Sequence, residues 1–249
     1  MRTIKGYGWK RQLPDRRDRI WHAKAEPLPV KADLRNANMP PVYDQGELGS
    51  CTANAIAAAF DYEHSSQGLG FLSPSRLFIY ANERLLEGTS LSEDSGAEIR
   101  DGVKTLSQLG VCAEDLWPYD VTQFSVKPPQ GCYDAATHDL VLQYQSVTQG
   151  IAVRYAIAQG FPVIFGFSVY DSFESESVAQ SGIVPMPGIN EPIVGGHAVV
   201  AVGYDLTEGV YIVRNSWGQW GQSGYCTMPI EYLDSPDLAS DFWCLQRVE

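Results

Sequence analysis

The chain changes character near its middle, and that change limits the folds open to it. Residues 52–63, Thr-Ala-Asn-Ala-Ile-Ala-Ala-Ala-Phe-Asp-Tyr-Glu, are alanine-rich and almost uncharged until their end. Such a segment predicts a buried helix of high intrinsic propensity, entered through the Gly49-Ser50 step. A second helix is expected from Ser73-Pro74 to Arg84, with proline in its first turn, and a third over about 98–109, stopped by Gly110. After about residue 160 the pattern becomes β-branched and aromatic. Residues 163–169, 197–204 and 209–215 predict strands, preceded by one helix over about 151–158, while 116–134 reads as a crossing loop. A helical first half and a strand-rich second half predict an α+β molecule in two lobes.

With 249 residues, 44% of them apolar and 19% charged, the chain can bury a large core. It has no apolar run long enough for a membrane span, and its start lacks a secretory signal. The expectation is therefore a cytoplasmic protein, or an exported one whose leader is absent from this sequence. The net charge of −12 argues against a nucleic-acid partner. Residues 1–24 run the other way: eight Lys or Arg against two Asp make this arm +6, so the remaining 225 residues carry −18. A basic, proline-punctuated arm on an acidic body reads either as a solvated tail or as a segment that docks on its own body. Five cysteines leave at least one thiol unpaired. Cys112, Cys132, Cys226 and Cys244 can pair in three ways or stay reduced. No CxxC or HxxxH spacing points to a metal, and no cofactor is expected.

Cys51 stands at the start of the alanine-rich helix. There the helix dipole and an adjacent imidazolium can lower a thiol pKa, and unpaired backbone N–H groups can hold an oxyanion. On position alone, a small buried hydrophobe is the commoner role for such a cysteine. His197 follows two glycines and opens a buried-looking strand, and Asn215 begins Asn-Ser-Trp-Gly-Gln-Trp-Gly-Gln-Ser-Gly-Tyr (215–225). Taken singly, these residues read as a structural histidine and a turn.

Together they do not. Gln45-Gly46-Glu47-Leu48-Gly49-Ser50-Cys51, the strand 196–204 and the block 215–225 resemble the nucleophile, histidine and asparagine segments of the papain-like cysteine peptidases. They occur in the family's order, with His197 146 residues after Cys51 and Asn215 18 residues after His197. Weaker likeness extends over residues 33–233. Three departures stand out: Leu48 where the family commonly has a disulfide cysteine, Thr52 where it has tryptophan, and one residue fewer between Trp217-Gly218 and Trp220-Gly221.

The resemblance implies a papain-like fold, with a helical lobe (about 32–135) and a β-barrel-like lobe (about 136–249) flanking a cleft. It implies a monomeric cysteine endopeptidase acting on peptides or proteins, with Cys51 as nucleophile, His197 as base, Asn215 orienting the ring and Gln45 in the oxyanion hole. Gly49, Ser50, Gly196 and Trp217 are the expected substrate-binding residues. Residues 1–31 are expected to be a short prosegment over the cleft. The competing readings are a catalytically silent binding module and a Cys-dependent acyl transferase or amidase.

Overall fold

The computed structural model describes residues 7–24 and 26–249, so Arg2 and Lys5 of the basic arm lie outside the described residues. The alanine-rich run forms α1 (Cys51–Ser66), buried from Cys51 through His64. Small side chains on every face let neighbouring elements approach it all round, and it packs against both the other helices and the sheet. α2 (Arg76–Leu86) begins two residues later than Ser73-Pro74 suggests. The reason is Ser75, whose hydroxyl accepts from the Phe78 N–H and sets the cap there. α3 (Ile99–Gln108) ends just before Gly110, whose φ of +76° suits glycine.

The expected crossing loop contains α4 (Gln130–Ala136), too short to carry a periodic signal. α5 (Ile151–Ala158) leads into the sheet. The strands are β1 (Lys31–Asp33), β2 (Val141–Ser146), β3 (Val163–Tyr170), β4 (Ile193–Asp205), β5 (Val210–Arg214), β6 (Tyr225–Pro229) and β7 (Ala239–Val248). They form one antiparallel sheet in the order β2-β7-β3-β4-β5-β6, with β1 also paired to β4. β2 and β7 had no strong expectation, because their apolar residues are interrupted by Gln143, Gln145, Asp241 and Gln246. The molecule is thus α+β in two lobes, with α1 between the helices and the sheet.

The N-terminal segment is woven into this body. Trp21 is only 4% exposed, and backbone bonds join it and Arg19 to Ser146 at 2.8 Å each. The Pro29 carbonyl accepts from the Tyr204 hydroxyl at 2.9 Å, and the Val30 carbonyl accepts from the Leu206 N–H. β1 then crosses residue 31, the expected boundary between arm and body.

Candidate active site

The first turn of α1 puts Cys51 at the interface between the lobes. Ser50 occupies the N-cap position without capping: its hydroxyl meets the Tyr119 hydroxyl at 2.6 Å and the Asn54 amide at 3.1 Å. The Ser50 side chain thus leaves the helix's first N–H groups uncapped, and the Ala198, Gly8 and Thr52 backbone amides all act on the Cys51 sulfur.

β4 delivers His197 opposite Phe167 of β3. Its Nε2 donates to Asn215 Oδ1 at 2.8 Å, and Nδ1 is the other ring nitrogen. Asn215 sits just past the end of β5, and its Oδ1 also accepts from the Ser216 N–H at 2.8 Å. Trp217 stacks on the imidazole with centroids 4.8 Å apart, and Phe167 meets the ring edge-on at 5.7 Å. These apolar faces keep water from the His197–Asn215 bond. Despite the shortened loop, Trp220 still packs on Trp217 at 5.3 Å and on Phe173 at 5.1 Å.

Gln45 reaches the same region through an irregular segment that pairs with 216–218. Its Oε1 accepts from Ser216 Oγ at 2.6 Å and its Nε2 donates to the Leu48 carbonyl at 2.9 Å. An amide nitrogen has two hydrogens, so one remains. Asp94, which nothing in the sequence marked, holds the Gly49 N–H at 2.9 and 3.1 Å and accepts from Tyr80 Oη. That hydroxyl accepts in turn from the Gly96 N–H at 3.0 Å. A hydrogen-bonded carboxylate thus ties the Cys51 segment to α2 and residues 94–96 within the helical lobe, in a chain that has Leu48 where the family commonly has a disulfide cysteine.

Residues 7–12 lie across this site. The Trp9 N–H donates to the Gly196 carbonyl at 3.1 Å, and the Gly8 carbonyl and Lys10 N–H bond Ala97 at 2.7 and 3.0 Å, so the arm bridges both walls. Glycines line its path. A Cβ on Gly8 would fall 1.6 Å from the Gly49 carbonyl oxygen, and Cβ atoms on Gly166 and Gly196 would fall 1.9 and 2.7 Å from the Trp9 indole. Tyr7 lies against Gly195 and donates its hydroxyl to Glu174.

The indole of Trp9 fills a pocket floored by Asp241 on β7, to which Nε1 donates at 3.1 Å and the Gln12 N–H at 2.9 Å. Asp241 has a φ of +60°, an uncommon conformation that aims its carboxylate at the pocket and that no sequence pattern announces. Burial pushes its pKa up.

Charge contributes less to this docking than the sequence suggests. Lys10 pairs with Glu87 at 2.9 Å, but Arg17 pairs with Asp15 of the arm itself. The best-buried ion pair has the opposite polarity, arm Asp18 with Arg100 at 2.6 Å.

With the arm in place, Cys51 has 0% exposure, and burial pushes its thiol up to about 12 despite the amides that favour the thiolate. The lowered pKa expected of a helix-start cysteine is thus overridden by desolvation in the covered site. Among the described residues, no group of three or more His, Cys, Asp or Glu could hold a metal ion.

The family model described as "Papain family cysteine protease" matches residues 28–240. A peptidase C1-like protein of Acanthamoeba polyphaga mimivirus is 47% identical over 216 residues, which is 82% of this chain and 69% of that one. Cathepsin K of Gallus gallus is 27% identical over 82% of this chain, which spans only 59% of that protein. Among solved structures, xylellain, a cysteine protease from Xylella fastidiosa, superposes with a TM-score of 0.92 at 41% identity, covering 100% of this chain and 98% of that one. Digestive procathepsin L 3 of Tenebrio molitor shares the fold, with a TM-score of 0.73 at 19% identity over 95% of this chain and 75% of its own.

Proposed function

The chain belongs to the papain family of cysteine proteases, and on that premise we propose that it is an endopeptidase using Cys51, His197 and Asn215, held latent by residues 7–12. The observation that carries this reading is the His197–Asn215 bond of 2.8 Å under the stacked Trp217 ring, beside a cysteine at a helix N-terminus.

In the uncovered site the Cys51 thiolate attacks a peptide carbonyl. The oxyanion is received by the Cys51 backbone N–H and the remaining Gln45 N–H. His197 protonates the leaving amine, then takes a proton from the water that releases the acyl-enzyme. Asn215 keeps Nε2 protonated and the ring oriented, leaving Nδ1 for the sulfur. Gly49, Ser50 and Gly196 form the walls against which a substrate backbone lies, as the arm's backbone lies on Gly196 and Ala97.

The arm supports latency in two ways. It shields Cys51 from solvent, and its Trp9 takes the place of a substrate side chain. With the arm displaced, Asp241 loses its Trp9 and Gln12 donors, so the pocket favours a substrate side chain that donates in their stead, arginine or lysine above aliphatic residues.

Cys51→Ala is expected to abolish turnover with folding intact, and an epoxide-type thiol inactivator is expected to label Cys51. Near-normal peptidase activity in the variant would sink the assignment.

A further inference from the structure

Four cysteines take no part in the chemistry above, and the fold discriminates sharply among their possible pairings. Cys226 of β6 stands opposite Val213, and Cys244 of β7 stands opposite Val163 and Gln145, so neither faces a cysteine across its strand pairs. Cys112 and Cys132 are placed differently. Cys112 lies two residues after Gly110, in the segment that leaves α3, and Cys132 lies one turn before Ala136 in α4.

The two segments touch backbone to backbone. A Cβ on Gly110 would fall 1.7 Å from the Ala136 carbonyl oxygen, and the Val111 N–H donates to the Asp139 carbonyl at 2.9 Å. From Ala136 back to Cys132 the helix rises about 6 Å, and two extended residues from Gly110 to Cys112 cover roughly 6.6 Å. Both cysteines therefore lie within roughly 7 Å of one backbone contact. Cys132 is a hydrogen-bonding and electrostatic neighbour of the Cys112 thiol, and both residues are buried, at 2% and 0% exposure.

The geometry points to Cys112 and Cys132 as a disulfide-forming pair that closes the 112–132 loop and so braces the nucleophile segment. That loop carries the side chains that hold residues 44–51. Tyr119 donates its hydroxyl to the Gln45 carbonyl at 2.9 Å and meets Ser50 Oγ at 2.6 Å. Glu114 binds Arg76 at 2.6 and 2.8 Å, and Arg76 reaches the Asp44 carbonyl at 3.3 Å. A bond at the base of the loop restricts the unfolded chain and keeps these braces together.

The step is thiol–disulfide exchange with a small disulfide such as oxidised glutathione. The two cysteine thiols give up two electrons and two protons, one protein S–S bond forms, and the glutathione S–S bond is cleaved to two thiols. Burial holds the Cys112 thiol up, so exchange proceeds through local opening. Once formed, the bond is shielded from the mild reductant that keeps Cys51 as a thiol.

The test equilibrates the full chain, folded and also refolded from denaturant, in glutathione buffers of graded potential, then alkylates free thiols under denaturing conditions. Peptide mapping is expected to find residues 112 and 132 linked, the protein lighter by two hydrogens, and Cys226 and Cys244 alkylated. The linked form is expected to melt roughly 6–12 °C higher than the reduced form, the shift that closing a loop of about 20 residues gives a chain of this size. Cys132→Ser should abolish both the link and the shift. Full alkylation of Cys112 and Cys132 in the most oxidising buffer after refolding, or a link to any other cysteine, would overturn the assignment. A linked form that melts no higher than the reduced one would overturn the bracing role.

Discussion

Replacing Trp9 with alanine tests latency at its strongest point. The half-buried indole packs where Gly166 and Gly196 leave room for it and donates to Asp241 at 3.1 Å. Losing most of that burial and one hydrogen bond to a carboxylate weakens docking by about 2–3 kcal/mol. At about 1.4 kcal/mol per tenfold, the open population rises roughly 30- to 150-fold, until the site is mostly open and the gain saturates. The assay is the second-order rate of Cys51 inactivation by a peptidyl epoxide, with the labelled residue found by mass spectrometry. The rate should rise by that factor in Trp9→Ala, and to its ceiling in a chain starting after Gln12. Truncation after residue 30 is a poorer control, because it removes Trp21 from the core along with the Pro29 and Val30 carbonyls. Wild-type labelling rates in both Trp9→Ala and the shorter truncation would refute the argument that residues 7–12 guard the cleft.

Alkylation of Cys51 by a small haloacetamide should accelerate with pH through about pH 10 in the covered protein, because burial holds the thiol up at about 12. In Trp9→Ala the rise should shift to lower pH, and identical profiles would contradict the desolvation account. Asp241→Asn, in the chain starting after Gln12, should lower kcat/KM for substrates with arginine at the Trp9 pocket by roughly 10- to 150-fold relative to leucine. An unchanged ratio removes Asp241 from specificity. Asn215→Ala should cut kcat by a similar factor with KM little changed, since the imidazole loses its orienting partner; a change confined to KM would argue against that role. Glu63, buried at the end of α1, has its carboxyl pushed up to about 8 by burial. Between about pH 4.5 and 8 the unfolded chain releases this proton and the folded chain keeps it, so stability falls as pH rises through that window. Glu63→Gln should flatten that part of the urea-midpoint profile, and a slope unchanged from wild type would contradict the assignment.

Much of this architecture is written in local pattern. The run 52–63 becomes a helix because alanine favours one, and 163–169, 197–204 and 209–215 become strands because β-branched runs between turns have few alternatives. Gln45, Cys51, His197 and Asn215 were identifiable because short segments of defined spacing carry them, and all four lie in the one site. Gly195 and Gly196 likewise hinted at a close approach to the cleft. Other features left no local trace. β7 hides behind Asp241 and Gln246, α4 is too short for periodicity, and α2 starts at Ser75 because one hydroxyl, rather than Pro74, sets the cap.

The sequence by itself determined the two-part α+β plan and the family, and it singled out the residues proposed to react, since these rest on composition, periodicity and spacing along one chain. Only the tertiary structure decided what those groups experience. The order of strands brings Asp241 beneath Trp9, burial where arm, helix and sheet meet raises the Cys51 thiol, and the packing of the α3 exit on α4 sets Cys112 beside Cys132. Each of these depends on residues far apart in the chain meeting across a shared boundary, and desolvation is a property of that meeting.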